Sequence, residues 1–241
     1  MRLAILSDIH GNLEAFEAVC ADIEQQRLNG VICLGDMIGY GPDPEDVIRG
    51  VQHLQCKTVF GNHEASLLSE KARNWMNFQA RENSIRTEEL LSGESLAYCR
   101  TLPPFLHIGD TWFVHGYPPD SVFAYLFKQP DRKIEELFAA SGPSLYFVGH
   151  THDLQLVSQR QGSVSRSALA EGRIRLEKDK RYIVNAGSVG QPRDGDKRAK
   201  YLIWDDEDWT LDILFIPYDI QKTIEKIRRR GFPDIYAERL R

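Results

Sequence analysis

The sequence predicts an α/β fold, a four-layer α-β-β-α sandwich in which two mixed sheets pack face to face with helices outside. Strand-like and helical patterns alternate over the first sixty residues, and strand-like runs dominate the last third. With 42% apolar residues, a chain of 241 residues can bury a large core. We expect one domain over residues 1–241, with a helical insertion at about 65–103.

The first sixty residues form a β-α-β-α-β series. Residues 2–6 are a short apolar run typical of a buried strand, and apolar residues then recur at helical spacing over 13–23. A second apolar run at 31–34, a helix at 44–54 that begins with proline, and a third run at 58–60 follow. This order favours parallel strands joined by right-handed crossovers.

The rest of the chain divides into a polar helical part and a strand-rich part. The segment 65–103 is rich in Glu, Arg, Asn and Ser, and a proline pair ends it. Its apolar residues Trp75, Met76 and Phe78 are expected to pack among the inserted helices; a cap over the site or a dimer contact is the alternative. The polar segment 159–180 is expected to form a mobile hairpin. The other predicted elements are a hairpin of 105–108 with 112–114, a helix at 131–140, strands at 145–148, 154–157, 173–176, 182–184, 201–204 and 211–216, and a helix at 219–230.

Composition excludes several classes of protein. No stretch approaches the roughly 18 to 20 apolar residues of a membrane span, and the first residues carry no signal-peptide pattern. The net charge of −5 argues against a general nucleic-acid-binding surface, which is usually basic. Four cysteines without Cys-x-x-Cys spacing are typical of a reduced, cytoplasmic protein.

Five short polar motifs stand where predicted strands end, and in open α/β sheets ligands bind beyond the carboxyl ends of strands. Each motif alone has an ordinary alternative: Asp8 could cap a helix, and Asp36 could belong to a turn. The motifs are Asp8-Ile9-His10, Gly35-Asp36, Gly61-Asn62-His63-Glu64, His115-Gly116 and Gly149-His150-Thr151-His152.

Together the motifs have the composition of a metal site. Four of the seven histidines fall in them as candidate ligands, and His63 is a fifth. Histidine, carboxylate and amide ligands suit borderline transition metals, and the absence of cysteine argues against a structural zinc site.

On all five motifs, in this order, the sequence resembles the calcineurin-like metallophosphoesterase family from Arg2 to about Trp204. The start at residues 7–12, the loop at 35–44 and the segment 185–188 are most similar to its small bacterial phosphodiesterase branch. The resemblance implies two divalent metal ions, with manganese expected and iron, zinc, nickel or cobalt as alternatives. It implies that Asp8, His10 and His152 hold one metal, that Asn62, His115 and His150 hold the other, and that Asp36 bridges them.

The resemblance also implies a reaction. In two-metal sites the ions lie roughly 3.5 to 4 Å apart and supply hydroxide near neutral pH, and this hydroxide would attack phosphorus in line. His63 would protonate the leaving oxygen as a general acid with a pKa near the working pH. Asn12 is a candidate phosphate contact, with a helix cap as the alternative, and Arg193 is a candidate clamp for a substrate phosphate.

Two positions depart from the Ser/Thr protein phosphatase branch. Gly39 stands where that branch has an Asp that orients the catalytic histidine, and Phe60 stands where it has Arg. The expected function is therefore metal-dependent phosphodiester hydrolysis, with a small phosphoester or nucleotide as substrate. The alternatives are a phosphomonoesterase, including a protein phosphatase, a dinucleoside polyphosphate hydrolase, and a non-catalytic metal-binding interaction module. Whether the chain forms a homo-oligomer is left open.

Overall fold

The structure, a computed structural model, describes residues 1–140 and 142–241. Its strands and helices follow the predicted order closely. The strands are β1 (Arg2–Leu6), β2 (Gly30–Cys33), β3 (Lys57–Thr58), β4 (Phe105–Ile108), β5 (Thr111–Val114), β6 (Leu145–Val148), β7 (Leu154–Arg160), β8 (Ser163–Ala168), β9 (Gly172–Arg175), β10 (Arg181–Ala186), β11 (Ala199–Asp205) and β12 (Thr210–Ile216). The α-helices are α1 (Leu13–Ile23), α2 (Pro44–His53), α3 (Asn62–Leu68), α4 (Glu70–Trp75), α5 (Phe78–Glu89), α6 (Gly93–Thr101), α7 (Asp131–Ala139), α8 (Ile220–Arg229) and α9 (Asp234–Glu238), and a 3-10 turn covers Leu126–Lys128.

The strands form two six-stranded mixed sheets. The first has the order β3-β2-β1-β11-β12-β9, with β1, β2 and β3 parallel as predicted. The second has the order β4-β5-β6-β10-β7-β8, in which β5, β6 and β10 are parallel. The carboxyl ends of the parallel strands of each sheet therefore lie at one edge of that sheet.

The main core lies between the two sheets. Ile5 and Trp204 face it from the first sheet, and Phe113 and Phe147 face it from the second. The two phenylalanine rings stack at 5.6 Å between centroids, and Trp204 lies 6.1 Å from Phe147. Each such buried side chain contributes roughly 1.5–3 kcal/mol of hydrophobic free energy, and together they hold the two edges that carry the polar motifs against each other.

Helices cover both outer faces. Helices α1 and α2 pack on the first sheet, and α7 packs on the second. The predicted α-β-β-α sandwich is confirmed. Four helices, α3 to α6, occupy the predicted insertion, and α8 and α9 form a small apolar cluster of their own. Among the residues that the structure describes, no helix is long and apolar enough to cross a bilayer.

Two predictions are wrong. The segment 159–180 is not one hairpin, because β8 pairs with β7 in the second sheet whereas β9 pairs with β12 in the first. The prediction that Trp75 and Phe78 pack among the inserted helices is also wrong, because these side chains are 47% and 68% exposed. Helix α4 buries none of its residues, and Trp75 instead lies beside Phe123, with ring centroids 4.8 Å apart.

Candidate metal centre

The five motifs meet where the two sheets adjoin. Asp8 follows β1, Asp36 follows β2, and Asn62 begins the helix after β3. His115 follows β5 and His150 follows β6, on the second sheet. Two hydrogen bonds join the sheets here: the His150 amide donates to Asp8 Oδ2 at 3.0 Å, and His115 Nδ1 lies 2.8 Å from the Leu34 carbonyl. The seven predicted ligands are all buried.

The backbone at this edge is unusual. Five of the seven predicted ligands have φ between +51° and +69°, the left-handed region that side chains rarely occupy: Asp8, His10, Asp36, His150 and His152. Each such residue costs about 1–3 kcal/mol, and such strain clusters at functional sites. Sequence patterns did not predict this feature, because these residue types do not require it.

Backbone carbonyls fix the orientation of the candidate histidine ligands. Nδ1 of His10 lies 2.9 Å from the Ile38 carbonyl, and Nδ1 of His152 lies 2.7 Å from that of Gln191. When Nδ1–H donates to these carbonyls, the lone pair of each Nε2 points inward. The two Nε2 atoms are 3.1 Å apart, so their lone pairs repel unless a proton or a cation lies between them. A carbonyl partner on the outer nitrogen is the usual arrangement of a metal-bound histidine.

His150 and His115 repeat this arrangement with the other group of ligands. His150 Nε2 lies 3.2 Å from the Phe123 carbonyl, which leaves Nδ1 facing His115 Nε2 at 3.2 Å. The amide oxygen of Asn62 is also 3.2 Å from His115 Nε2. Three electron-pair donors thus converge on one point.

Two carboxylates complete the cluster. Asp36 Oδ2 lies 3.8 Å from His10 Nε2 and 3.2 Å from His115 Nε2, so it stands between the two groups of ligands. Asp8 Oδ2 accepts hydrogen bonds from Ser7 Oγ and the His150 amide, whereas Oδ1 is buried without a hydrogen-bond partner among the described residues and faces His152 Nε2 at 3.2 Å. A buried, unpartnered carboxylate oxygen is costly unless a positive charge meets it.

The pKa values reflect this concentration of charge. Burial lowers the pKa of His150 to about 3 and that of His152 to about 4, so both rings are neutral ligands at pH 7. Burial acts in the same direction on His115, but the Asp36 carboxylate outweighs it and raises the pKa to about 9. Positive charge is therefore favoured beside Asp36, whether a proton or a metal ion supplies it.

His63 lies beside the cluster rather than within either group of ligands. Its amide donates to Asp36 Oδ1 at 2.9 Å, and its ring stands edge-on to the rings of His10 and Tyr40, at 4.8 and 4.6 Å. Among the described residues, Nδ1 of His63 is buried without a hydrogen-bond partner, and a Cβ on Gly39 would lie 2.1 Å from it. Burial lowers the pKa of His63 to about 3, only partly opposed by Asp36. The general-acid role of His63 stays a prediction.

The two predicted substrate contacts differ in their surroundings. Asn12 is buried at the N-terminus of α1, where its Oδ1 accepts from the Ala15 amide and its Nδ2 donates to the Gly190 carbonyl. This geometry matches the helix-cap alternative, and a substrate contact stays a prediction. Arg193 is exposed on a loop, where its only side-chain bond among the described residues is to Gln191, at 3.4 Å.

Sequence reasoning missed several supporting residues. Glu64 accepts hydrogen bonds from the amides of Asp36, Met37 and Gly61 at 2.8–2.9 Å and so holds the Asp36 loop. The ring of Tyr125 stacks on His150 with centroids 4.2 Å apart. The Gly61-x-x-Glu64 spacing was a signal for the first role, but no local pattern pointed to Tyr125.

Comparisons with known proteins agree with this geometry. Residues 1–208 match the model of the calcineurin-like phosphoesterase superfamily domain. The chain is 35% identical to the uncharacterized protein MJ0912 of Methanocaldococcus jannaschii, over 99% of this chain and 96% of that protein. A metallophosphoesterase from Sphaerobacter thermophilus is 34% identical, with a TM-score of 0.87 over 100% of this chain and 98% of that one. The hypothetical protein PH1004 from Pyrococcus horikoshii OT3 shares the fold at 20% identity, with a TM-score of 0.78 over 99% and 97% of the two chains.

Proposed function

This chain belongs to the calcineurin-like phosphoesterase superfamily, and from that premise we propose that it is a phosphodiesterase that uses two divalent metal ions. The observation that carries the proposal is the set of inward-facing electron pairs. His10 and His152 direct Nε2 atoms at each other at 3.1 Å, and His115 and His150 direct nitrogens at each other at 3.2 Å. A metal ion at each of these contacts would be bound by both facing nitrogens.

The donor set fits two metal ions. Asp8, His10 and His152 offer donor atoms that all lie within 4.8 Å of one another, and so do Asp36, His115 and His150. Asn62 adds an amide oxygen to the second group, and Asp36 lies between the groups. Imidazole and carboxylate ligands suit manganese, iron, cobalt, nickel or zinc, and manganese is the metal we propose to test first. Such a pair of ions supplies hydroxide near neutral pH and neutralises charge on the phosphoryl oxygens.

His63 is proposed to act at the leaving group. Its ring contacts those of Tyr40 and His10, and its backbone amide donates a hydrogen bond to Asp36, so the ring is held beside the ligand cluster. Burial keeps it neutral in the free protein. A neutral imidazole still carries one N–H, which can donate to the leaving oxygen, and the negative charge of a bound phosphate favours its protonated form.

Two cavities beside the centre support a diester over a monoester. A cleft of about 420 Å³ borders His10, His63 and His150 through tyrosine side chains. A second, mostly apolar groove of about 600 Å³ lies beside His150, with Phe60, Trp75 and Phe123 in its walls. A phosphodiester carries two organic arms, and each arm then has a cavity.

We call the first cavity the tyrosine–arginine cleft. Its walls include Tyr40, Tyr125, Arg193, Lys197, Tyr236 and Arg239.

The test compares substrates and leaving groups. Manganese-loaded protein should hydrolyse bis(4-nitrophenyl) phosphate at least tenfold faster than 4-nitrophenyl phosphate. His63→Ala should retain bound manganese and lose roughly 10²-fold or more in kcat on a diester with an alcohol leaving group. The same variant should lose far less with nitrophenolate, which leaves without a proton.

Other outcomes assign the other functions. A preference for the monoester would refute the diesterase proposal and leave the metal centre standing. Faster turnover of a diadenosine polyphosphate than of any diester would indicate a polyphosphate hydrolase. Manganese binding with no turnover of any phosphoester would indicate an interaction module.

A further inference from the structure

The tyrosine–arginine cleft is assembled from distant parts of the chain and adjoins the metal centre. The ring of Tyr40 lies 4.5 Å from His10, and that of Tyr125 stacks on His150. The amide of Arg193 donates to the His152 carbonyl at 3.3 Å. A substrate whose phosphorus lies over the metal ligands would therefore extend one arm into this cleft.

The cleft carries three cations and no lining carboxylate. Within residues 1–140 and 142–241, Arg193, Lys197 and Arg239 form no ion pair with an Asp or Glu at 4.0 Å or less. Neighbouring cations on the same segments are paired: Arg198 with Asp196, and Arg241 with Glu238. The net charge of the chain is −5, so the cleft is positive against an acidic background.

Neutral acceptors gather these cations together. Arg193 Nη2 and Arg239 Nη1 both lie 3.4 Å from Oε1 of Gln191, and Lys197 Nζ donates to the Arg239 carbonyl at 2.8 Å. Three positive charges held close by uncharged groups repel one another, and a bound anion would relieve that repulsion. Guanidinium groups match phosphate oxygens in geometry as well as in charge.

Aromatic rings form the rest of the wall. The ring centroids of Tyr40 and Tyr236 lie 5.1 Å apart, and the guanidinium of Arg239 is 5.8 Å from the centroid of each ring. Tyr236 is only 1% exposed, whereas Tyr40 and Tyr125 are half-buried, so these two rings are the ones that suit stacking with a planar ring of a ligand. A simple inorganic anion would leave these faces unused.

We propose that the tyrosine–arginine cleft binds one nucleotide arm of the diester substrate, with the base against Tyr40 and Tyr125 and a further, non-reacting phosphate on Arg193, Lys197 and Arg239. This rests on the proposed function and names its substrate class: a phosphodiester in which one arm carries an aromatic base and a second phosphate. The cations beyond the metal centre distinguish this substrate from a diester with only the reacting phosphate.

The probes are a matched pair, the dinucleotide ApA and its 5′-phosphorylated form pApA, which differ only in the second phosphate. Binding is measured by calorimetry on chelator-treated, metal-free protein, and kcat and KM are measured with manganese. We expect pApA to bind at least tenfold more tightly than ApA, since charge-assisted hydrogen bonds to phosphate carry the difference. Arg239→Gln and Lys197→Gln should each reduce this preference severalfold, mainly through KM.

Arg241→Gln is the control, because this arginine is paired with Glu238 outside the cleft; it should keep the full preference. Equal binding of pApA and ApA to the wild-type protein would overturn the proposal, and so would an unchanged preference in both Arg239→Gln and Lys197→Gln. A full preference for pApA in a protein that hydrolyses no diester would support the cleft and refute the proposed function instead.

Discussion

Replacing Gly39 by alanine tests whether the exact placement of His63 matters. The added Cβ would lie 2.1 Å from His63 Nδ1, 2.7 Å from Cε1 and 3.0 Å from Cγ. Ordinary contacts need about 3.5 Å, so the ring must retreat by about 1 Å or more. A displacement of about 1 Å at a reacting group can cost roughly 100-fold in rate, which is about 2.7 kcal/mol of transition-state stabilisation. We expect Gly39→Ala to lose roughly 100-fold in kcat on a diester with an alcohol leaving group and to keep its manganese.

The control for backbone strain is Gly162→Ala. Gly162 has φ +82°, close to the +85° of Gly39, but a Cβ there would meet nothing within 4 Å. Both variants should lose about 1–2 kcal/mol of unfolding free energy from the left-handed alanine, as measured by urea denaturation. Only Gly39→Ala should lose activity. Wild-type kcat in Gly39→Ala, or equal losses of kcat in the two variants, would refute the reasoning.

Three further predictions concern stability. Manganese at 100 times the Kd of one metal site should raise Tm by about 5–10 °C over chelator-treated protein through that site alone, corresponding to about 2.7 kcal/mol; an unchanged melting curve would contradict the proposed centre. Lys226→Met should cost about 3 kcal/mol at pH 7, because Lys226 pairs with the buried carboxylates of Glu14 and Asp43. Burial opposes ionisation of Glu14, but Lys226 lowers its pKa below 4.5. The stabilisation from this pair is present above pH 4.5 and is lost as the pH falls through the folded pKa. Urea titrations should therefore find a smaller loss of unfolding free energy in Lys226→Met at pH 3 than at pH 7. Phe147→Ala should cost about 3–5 kcal/mol of unfolding free energy, and a loss under 1 kcal/mol would show that the core between the sheets can collapse around it.

Local patterns predicted the parallel part of the fold and the clustering of the ligands. Strands β1, β2 and β6 are apolar runs that end two or three residues before Asp8, Asp36 and His150, so their carboxyl ends could be aligned without any knowledge of long-range contacts. The same reasoning brought together all seven predicted ligand residues, which lie in one buried cluster.

The parts that escaped prediction depend on contacts between distant residues. Helix α9 is five residues long, too short for a periodic pattern, and it is held because Tyr236 packs on Tyr40 of a loop almost 200 positions earlier. A strand at 173–176 was predicted, but its pairing with β12 in the first sheet was not, because the local sequence does not indicate its neighbour. The pKa of His63 could not be predicted either, since it depends on complete burial in the folded chain.

The left-handed backbone of five candidate ligands lowers the stability of the fold in exchange for the geometry of the proposed metal centre. At Asp8, His10, Asp36, His150 and His152 the chain holds conformations that glycine would adopt at less cost. Selection for thermal resilience alone, in a laboratory library screened without phosphoester turnover, should therefore enrich glycine or asparagine at these positions first. Variants selected in this way should be more stable but inactive, and the positions of their substitutions should mark the reaction centre.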